Sequence, residues 1–297
     1  MTIPKLVGCG TALVTPFTAS GEIDEMALRA FVDWQVAEGV HFVVPCGSTG
    51  EAVTMSVAEH CRVVEITSEQ VNGRVPVVAG AGSNDTVKAI ALSRESKAAG
   101  ATHLLQVAPM YNKPPQRGML AHFRAIADAV DLPIVLYNVP GRTASNIEAK
   151  TTLELAQDPR FVAVKEASAN LAQIGEIIRN RPANFMVLSG DDSWTLPIMA
   201  MGGDGIVSVI SNATPRAMAL LANACAAGDY ALARKIEASL APWMQAAFIE
   251  SNPLPAKAAL KMLGKFEENF RLPLVPMLEA NRPLVRAALV HAGALTV

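Results

Sequence analysis

The chain has 297 residues, enough for one large body with a modest appendage and typical of a closed α/β barrel. Its 25 Lys and Arg against 27 Asp and Glu leave a formal charge of -2, with no basic stripe to follow a nucleic-acid backbone. The apolar fraction is high, 51%, but Gly, Pro and charges cut it into runs far short of the roughly 18 residues of a membrane span.

A soluble protein with a large core follows, with neither nucleic acid nor membrane as a partner. The N-terminal stretch Met1 to Gly10 holds one Lys and no apolar run ending in a small-residue cleavage site, so it does not read as a secretory signal and a cytoplasmic location is expected. Cys9, Cys46, Cys61 and Cys225 lack C-x-x-C spacing, which argues against disulfides and zinc and for reduced core residues.

Taken in chain order, eight short β-branched runs recur: Gly10 to Val14, His41 to Val44, Val75 to Ala79, His103 to Val107, Pro133 to Tyr137, Phe161 to Val164, Phe185 to Leu188 and Gly205 to Val209. Amphipathic segments separate most of them. Asp24 to Ala37 carries Leu28, Phe31, Val32 and Val36 on one face and is closed by Gly39, and the next segment starts at Ser56 with Glu59 three residues on, a capping box. Strands apolar on both faces belong in a parallel sheet covered by helices, and eight β-α units at this length favour a (β/α)8 TIM barrel over an open sheet. The strand signal stops near residue 226. The expected division is therefore 1–226 as the barrel and 227–297 as a C-terminal helical region.

In such a barrel the active site is built at the C-terminal strand ends. Lys165 sits in Phe-Val-Ala-Val-Lys-Glu-Ala, where the apolar run buries the strand and desolvation lowers the amine's pKa toward that of a nucleophile; the alternative is a lysine paired with Glu166. Tyr137 ends the fifth run, as a proton shuttle supplied by Ser48 or Thr49 or as a barrel-lining residue with a satisfied hydroxyl. Arg142 follows Pro140 and Gly141, its planar fork suited to a substrate carboxylate or simply solvated. Gly47 to Gly50 offers backbone amides as a carboxylate cradle but lacks the Gly-Lys-Ser/Thr ending of a phosphate loop, and Gly80-Ala81-Gly82 has Asp85 where a dinucleotide fingerprint has its third glycine. No nucleotide is expected. His41, His60, His103, His122 and His291 show no metal-binding spacing, and Asp191 and Asp192 stay open between a cation site and a helix cap.

Together these segments resemble the dihydrodipicolinate synthase and N-acetylneuraminate lyase superfamily of class I aldolases. The resemblance covers the whole chain through seven motifs in order: Gly10 to Phe17, Gly47 to Glu51, Tyr111 to Pro114, Tyr137 to Thr143, Val164 to Glu166, Gly202 to Gly205 and Asn252 to Pro255. It implies Lys165 as the Schiff-base lysine, Tyr137 as the central proton-transfer group, Ser48 in the hydroxyl relay where the synthases usually have Thr, and Tyr111 as a relay tyrosine reaching into a neighbouring subunit. The substrate-binding set it implies is Gly47, Thr49, Arg142 and Ile206. A dimer paired into a homotetramer follows, with no cofactor and no metal.

Within that superfamily the Asn-Val-Pro-Gly-Arg-Thr setting of Arg142 is similar to the synthases, which condense pyruvate with aspartate semialdehyde in lysine and diaminopimelate biosynthesis. Ser48 matches the lyases. The alternatives are another pyruvate-dependent class I aldolase, lyase or hydratase-aldolase acting on a 2-oxo acid or sugar acid, or a silent barrel that only binds. Lysine-inhibited relatives place polar groups where this chain has Ala52, Val57, Lys88 and Met110, with only Asn84 and His60 keeping the pattern, so insensitivity to lysine is also implied.

Overall fold

A computed structural model describes residues 5–296. Met1 to Pro4, the first part of the stretch read above for a targeting signal, lie outside the described residues, as does Val297.

Eight parallel strands alternate with helices: β1 (Gly8–Ala12), α1 (Glu25–Ala37), β2 (Phe42–Val44), α2 (Val57–Val71), β3 (Val78–Gly80), α3 (Thr86–Ala98), β4 (His103–Val107), α4 (Gln116–Ala129) and β5 (Ile134–Asn138). There follow a short α5 (Pro140–Thr143), α6 (Ala149–Leu155), β6 (Phe161–Glu166), α7 (Leu171–Asn180), β7 (Met186–Ser189), α8 (Thr195–Ala200), β8 (Gly205–Ser208) and α9 (Pro215–Ala226). The strand order is β2-β1-β8-β7-β6-β5-β4-β3, and a parallel bridge between Val43 and Val77 joins the two ends. The expected TIM barrel is the architecture. Beyond it stand α10 (Tyr230–Ala246), α11 (Leu254–Met262) and α12 (Arg282–His291). They share one apolar cluster with β8 and α9, in which Trp243, Leu254 and Leu289 pack with Met218 and Leu221.

Local chemistry sets the helix ends. Asp24 accepts from the Ala27 amide at 3.0 Å, and Ser56 with Glu59 forms the expected capping box, Ser56 N donating to Glu59 Oε2 at 2.8 Å and Glu59 N to Ser56 Oγ at 3.2 Å. In α1 the fourth buried position is Gln35, not the expected Val36, because the amide side chain is satisfied inside: Thr11 Oγ1 donates to it at 2.8 Å and its Nε2 donates to Asn212 O at 3.0 Å.

β1 and β3 depart furthest from the expected runs. β1 begins at Gly8 and ends at Ala12, so Leu13 and Val14 lie past the strand end. β3 starts at Val78, since Pro76 has no amide to give the ladder and serves it only as an acceptor, from Val43 N at 3.0 Å. Gly10 is required where it stands: a Cβ there falls inside the Phe42 ring.

Candidate active site

Strand parity decides which side chains enter the barrel. On β5, Val135 and Tyr137 join the interior cluster while Ile134 and Leu136 pack outward; on β6, Ala163 faces inward and Val164 outward. Tyr137 is the register partner of Lys165, and Lys165 Nζ lies 4.2 Å from the Tyr137 ring centroid, so both C-terminal strand ends deliver their polar groups to the same point.

Glu166 points the other way. Its carboxylate accepts from Asn138 Nδ2 at 2.8 Å, Gln173 Nε2 at 2.9 Å and Ser168 Oγ at 2.6 Å, a buried network behind the barrel wall. The alternative pairing of Lys165 with Glu166 is thereby excluded by the pleat. The acid that acts on Lys165 is Asp192, buried in the turn after β7, where it accepts from Ser208 Oγ at 2.5 Å and from the amides of Val209 and Ile210 at 3.1 and 3.2 Å. Its neighbour Asp191 caps the same turn through Ser193 N at 3.1 Å. Among the described residues no group of three or more His, Cys, Asp or Glu is placed to hold a metal ion.

Electrostatics follow from burial. Lys165 is 5% exposed, and desolvation brings its amine down to about 8 against the attraction of Asp192. Desolvation also raises Tyr137 to about 12, opposed by Arg142, and lifts Asp192 to about 6, opposed by its hydrogen bonds to Ser208, Val209 and Ile210. The lysine becomes a better nucleophile while the phenol holds its proton.

A cavity of about 180 Å³ brings together Gly47, Ser48, Thr49, Tyr137, Arg142 and Lys165. Its loop is shaped by Gly50 N donating to Gly47 O at 3.0 Å and Glu51 N to Ser48 O at 3.2 Å. Among the described residues no hydrogen bond joins Ser48 to Tyr137. Two expected residues are elsewhere. Tyr111 is 88% exposed, with a positive φ of 73°, and does not line the cavity within one chain. Ile206 is on the wrong face: it packs outward with Cys9 and Met218, and Val207 is the β8 residue that enters the barrel. A one-residue error in a strand inverts the side chain's direction.

Of the lining residues that carried no assigned role in the sequence, three stand out. Gly190 packs on the Lys165 stem, Asn252 donates to Thr49 Oγ1 at 2.9 Å, and Phe248 stands at the cavity wall. Asn252 was visible only as part of a motif, and nothing local marks Gly190 or Phe248.

The sequence profile of the Dihydrodipicolinate synthetase family matches residues 5–292. The chain belongs to this family. It is 51% identical over 292 residues to a 4-hydroxy-tetrahydrodipicolinate synthase of Koribacter versatilis, covering 98% of this chain and 97% of that one. The crystal structure of the dihydrodipicolinate synthase of Thermotoga maritima superposes with a TM-score of 0.96 at 39% identity, over 98% of this chain and 100% of that chain. Another, from Acinetobacter baumannii and described as complexed with pyruvate, gives a TM-score of 0.96 at 38% identity, over 99% and 100% of the two chains. No helix among the described residues is long and apolar enough to cross a membrane.

Proposed function

We propose that the protein is a 4-hydroxy-tetrahydrodipicolinate synthase, joining pyruvate to aspartate semialdehyde in lysine and diaminopimelate biosynthesis in the cytoplasm. The observation that carries this reading is the buried Lys165, in register with Tyr137 and sharing one cavity with Arg142.

The unprotonated amine of Lys165 attacks the ketone carbon of pyruvate, and the carbinolamine loses water to give an imine, protons passing through the Tyr137 hydroxyl and the Ser48 hydroxyl that lines the same cavity. The cationic imine withdraws electrons from the adjacent methyl, which loses a proton to form an enamine. Thr49 and the amides of the Gly47 loop hold the pyruvate carboxylate. The enamine carbon then bonds to the aldehyde carbon of aspartate semialdehyde, whose carboxylate meets Arg142. The substrate's own amine attacks the imine carbon and expels Lys165, closing the ring and restoring the enzyme without a cofactor.

Pyruvate with borohydride tests the first step: one pyruvate-derived mass should appear on the peptide carrying Lys165, and its absence would sink the reading. An aldehyde panel separates synthase from other pyruvate aldolases, because only the synthase needs both an amine and a carboxylate on its acceptor.

The exposed Tyr111 supports assembly. In a homotetramer built from dimers, this phenol enters the partner's cavity and completes the proton relay. Sedimentation run beside an activity assay checks this, since a fully active monomer contradicts it.

A further inference from the structure

The C-terminal helices reach the Gly47–Glu51 loop through an ion pair shielded completely from solvent. Glu51 closes the loop with φ at +58°, a left-handed conformation that a non-glycine residue holds only when its surroundings impose it. Its Oε1 meets Nζ of Lys257, on α11, at 2.5 Å, and both side chains are 0% exposed. Asn269 O accepts from the same ammonium at 2.7 Å, and the rings of Phe17 and Phe270 lie 4.4 and 4.8 Å from it.

Stripping two charges of water is costly, and an apolar pair of equal volume is often as stable, so stability alone does not account for this arrangement. Its placement does. Thr49, two residues before Glu51, accepts from Asn252 at 2.9 Å in the turn that enters α11. The residues around the start of α11 therefore grip both Thr49 and Glu51, on either side of Gly50. Neither Glu51 nor Lys257 lines the cavity that holds Lys165.

We infer that Glu51 and Lys257 are a positioning pair, through which the C-terminal helices hold the Gly47–Gly50 loop in the shape that receives the pyruvate carboxylate. The inference rests on the pyruvate imine proposed above and deepens it: the pair governs the first substrate and not the second. Among the described residues no hydrogen bond or ion pair joins Arg142, on α5, to α11.

Two variants test it. Glu51→Gln with Lys257→Met removes both charges at similar volume and leaves no buried ion unpaired, while Glu51→Asp keeps both charges and withdraws the carboxylate by one methylene. The pyruvate concentration giving half-maximal borohydride trapping on Lys165 should rise about ten-fold or more in each, with KM for aspartate semialdehyde changed less than about two-fold. Circular dichroism verifies folding, and if the double variant does not fold, Glu51→Asp decides. Unchanged pyruvate dependence in a folded variant, or equal rises for both substrates, overturns the inference. Failure of the imine itself is a separate outcome, seen as no adduct in the unaltered protein.

Discussion

Tyr137 and Lys165 face each other across the β5–β6 ladder, with the ammonium nitrogen 4.2 Å from the phenol ring centroid. An aromatic face and the Asp192 carboxylate both favour the charged lysine, yet desolvation outweighs them and leaves the amine at about 8. About a tenth of it is then neutral at pH 7, against less than about a thousandth for an ordinary lysine. Trapping of pyruvate should accelerate nearly ten-fold per pH unit below roughly pH 7, more slowly toward 8, and then level off. Asp192→Asn should move this limb to lower pH. A limb near the ordinary lysine value would show that burial does not govern the amine.

The same burial has a cost in stability. The folded-state value of about 8 lies below the ordinary 10.5, so between those values the unfolded chain binds more protons and stability rises with pH. Below pH 8 the full penalty is present, about 3 kcal/mol. Lys165→Met should therefore abolish the adduct and raise the melting temperature at pH 7 by several degrees. A variant less stable than the unaltered protein would contradict this.

Gly190 is shaped by the lysine stem. A Cβ there meets Ala167 Cβ at 2.8 Å and Lys165 Cγ and Cε at 3.0 Å, too close on all three sides. Gly190→Ala should displace the amine and reduce turnover by about 10²-fold in a protein that remains folded. Trapping rates measured beside turnover should fall in step; if both are unchanged, the stem yields freely and Gly190 is only a loop residue.

Arg142 stands at the exposed side of the cavity, on a helix of only four residues. Losing a charged hydrogen-bonding partner removes about 1.5 to 3 kcal/mol, and exposure puts Arg142→Ala toward the lower end, roughly a ten-fold rise in KM for aspartate semialdehyde. Pyruvate trapping should hardly change. Steady-state kinetics with each substrate varied in turn distinguishes the two.

Lysine should not inhibit. A second cavity of about 180 Å³ adjoins the first at Tyr137 and is lined by Ala52, His60 and Met110 but by no Asp or Glu. Burial holds the His60 imidazole below its ordinary value and so neutral, and with no carboxylate in the lining nothing there pairs with a ligand ammonium. Lys88, at one of the positions where lysine-inhibited relatives carry polar groups, is exposed and outside the lining, so the apolar walls carry the effect. Half-inhibition at sub-millimolar lysine in an activity titration would refute this.

The barrel, the capping box at Ser56 and the delivery of Lys165 and Tyr137 to one mouth were legible in the sequence, because each depends on local periodicity or on a strand end. Run lengths and apolar spacing are imposed by backbone geometry over a few residues, and these are properties that a linear reading measures. At β8 the resemblance implied Ile206, but its side chain packs outward and Val207 enters the barrel, because neighbouring residues of a strand face opposite ways.

Only the tertiary structure decided the rest. That Glu166 finds Asn138 as its partner depends on the β5–β6 register, that Asp192 acts on the lysine depends on the turn after β8 supplying amides to hold it, and that Lys257 closes on Glu51 depends on a contact between residues 206 positions apart. Each is a buried polar group whose partner lies far along the chain. Desolvation obliges such a group to find a partner, but nothing local says which one, and the choice is made when the barrel closes and the C-terminal helices fold back against it.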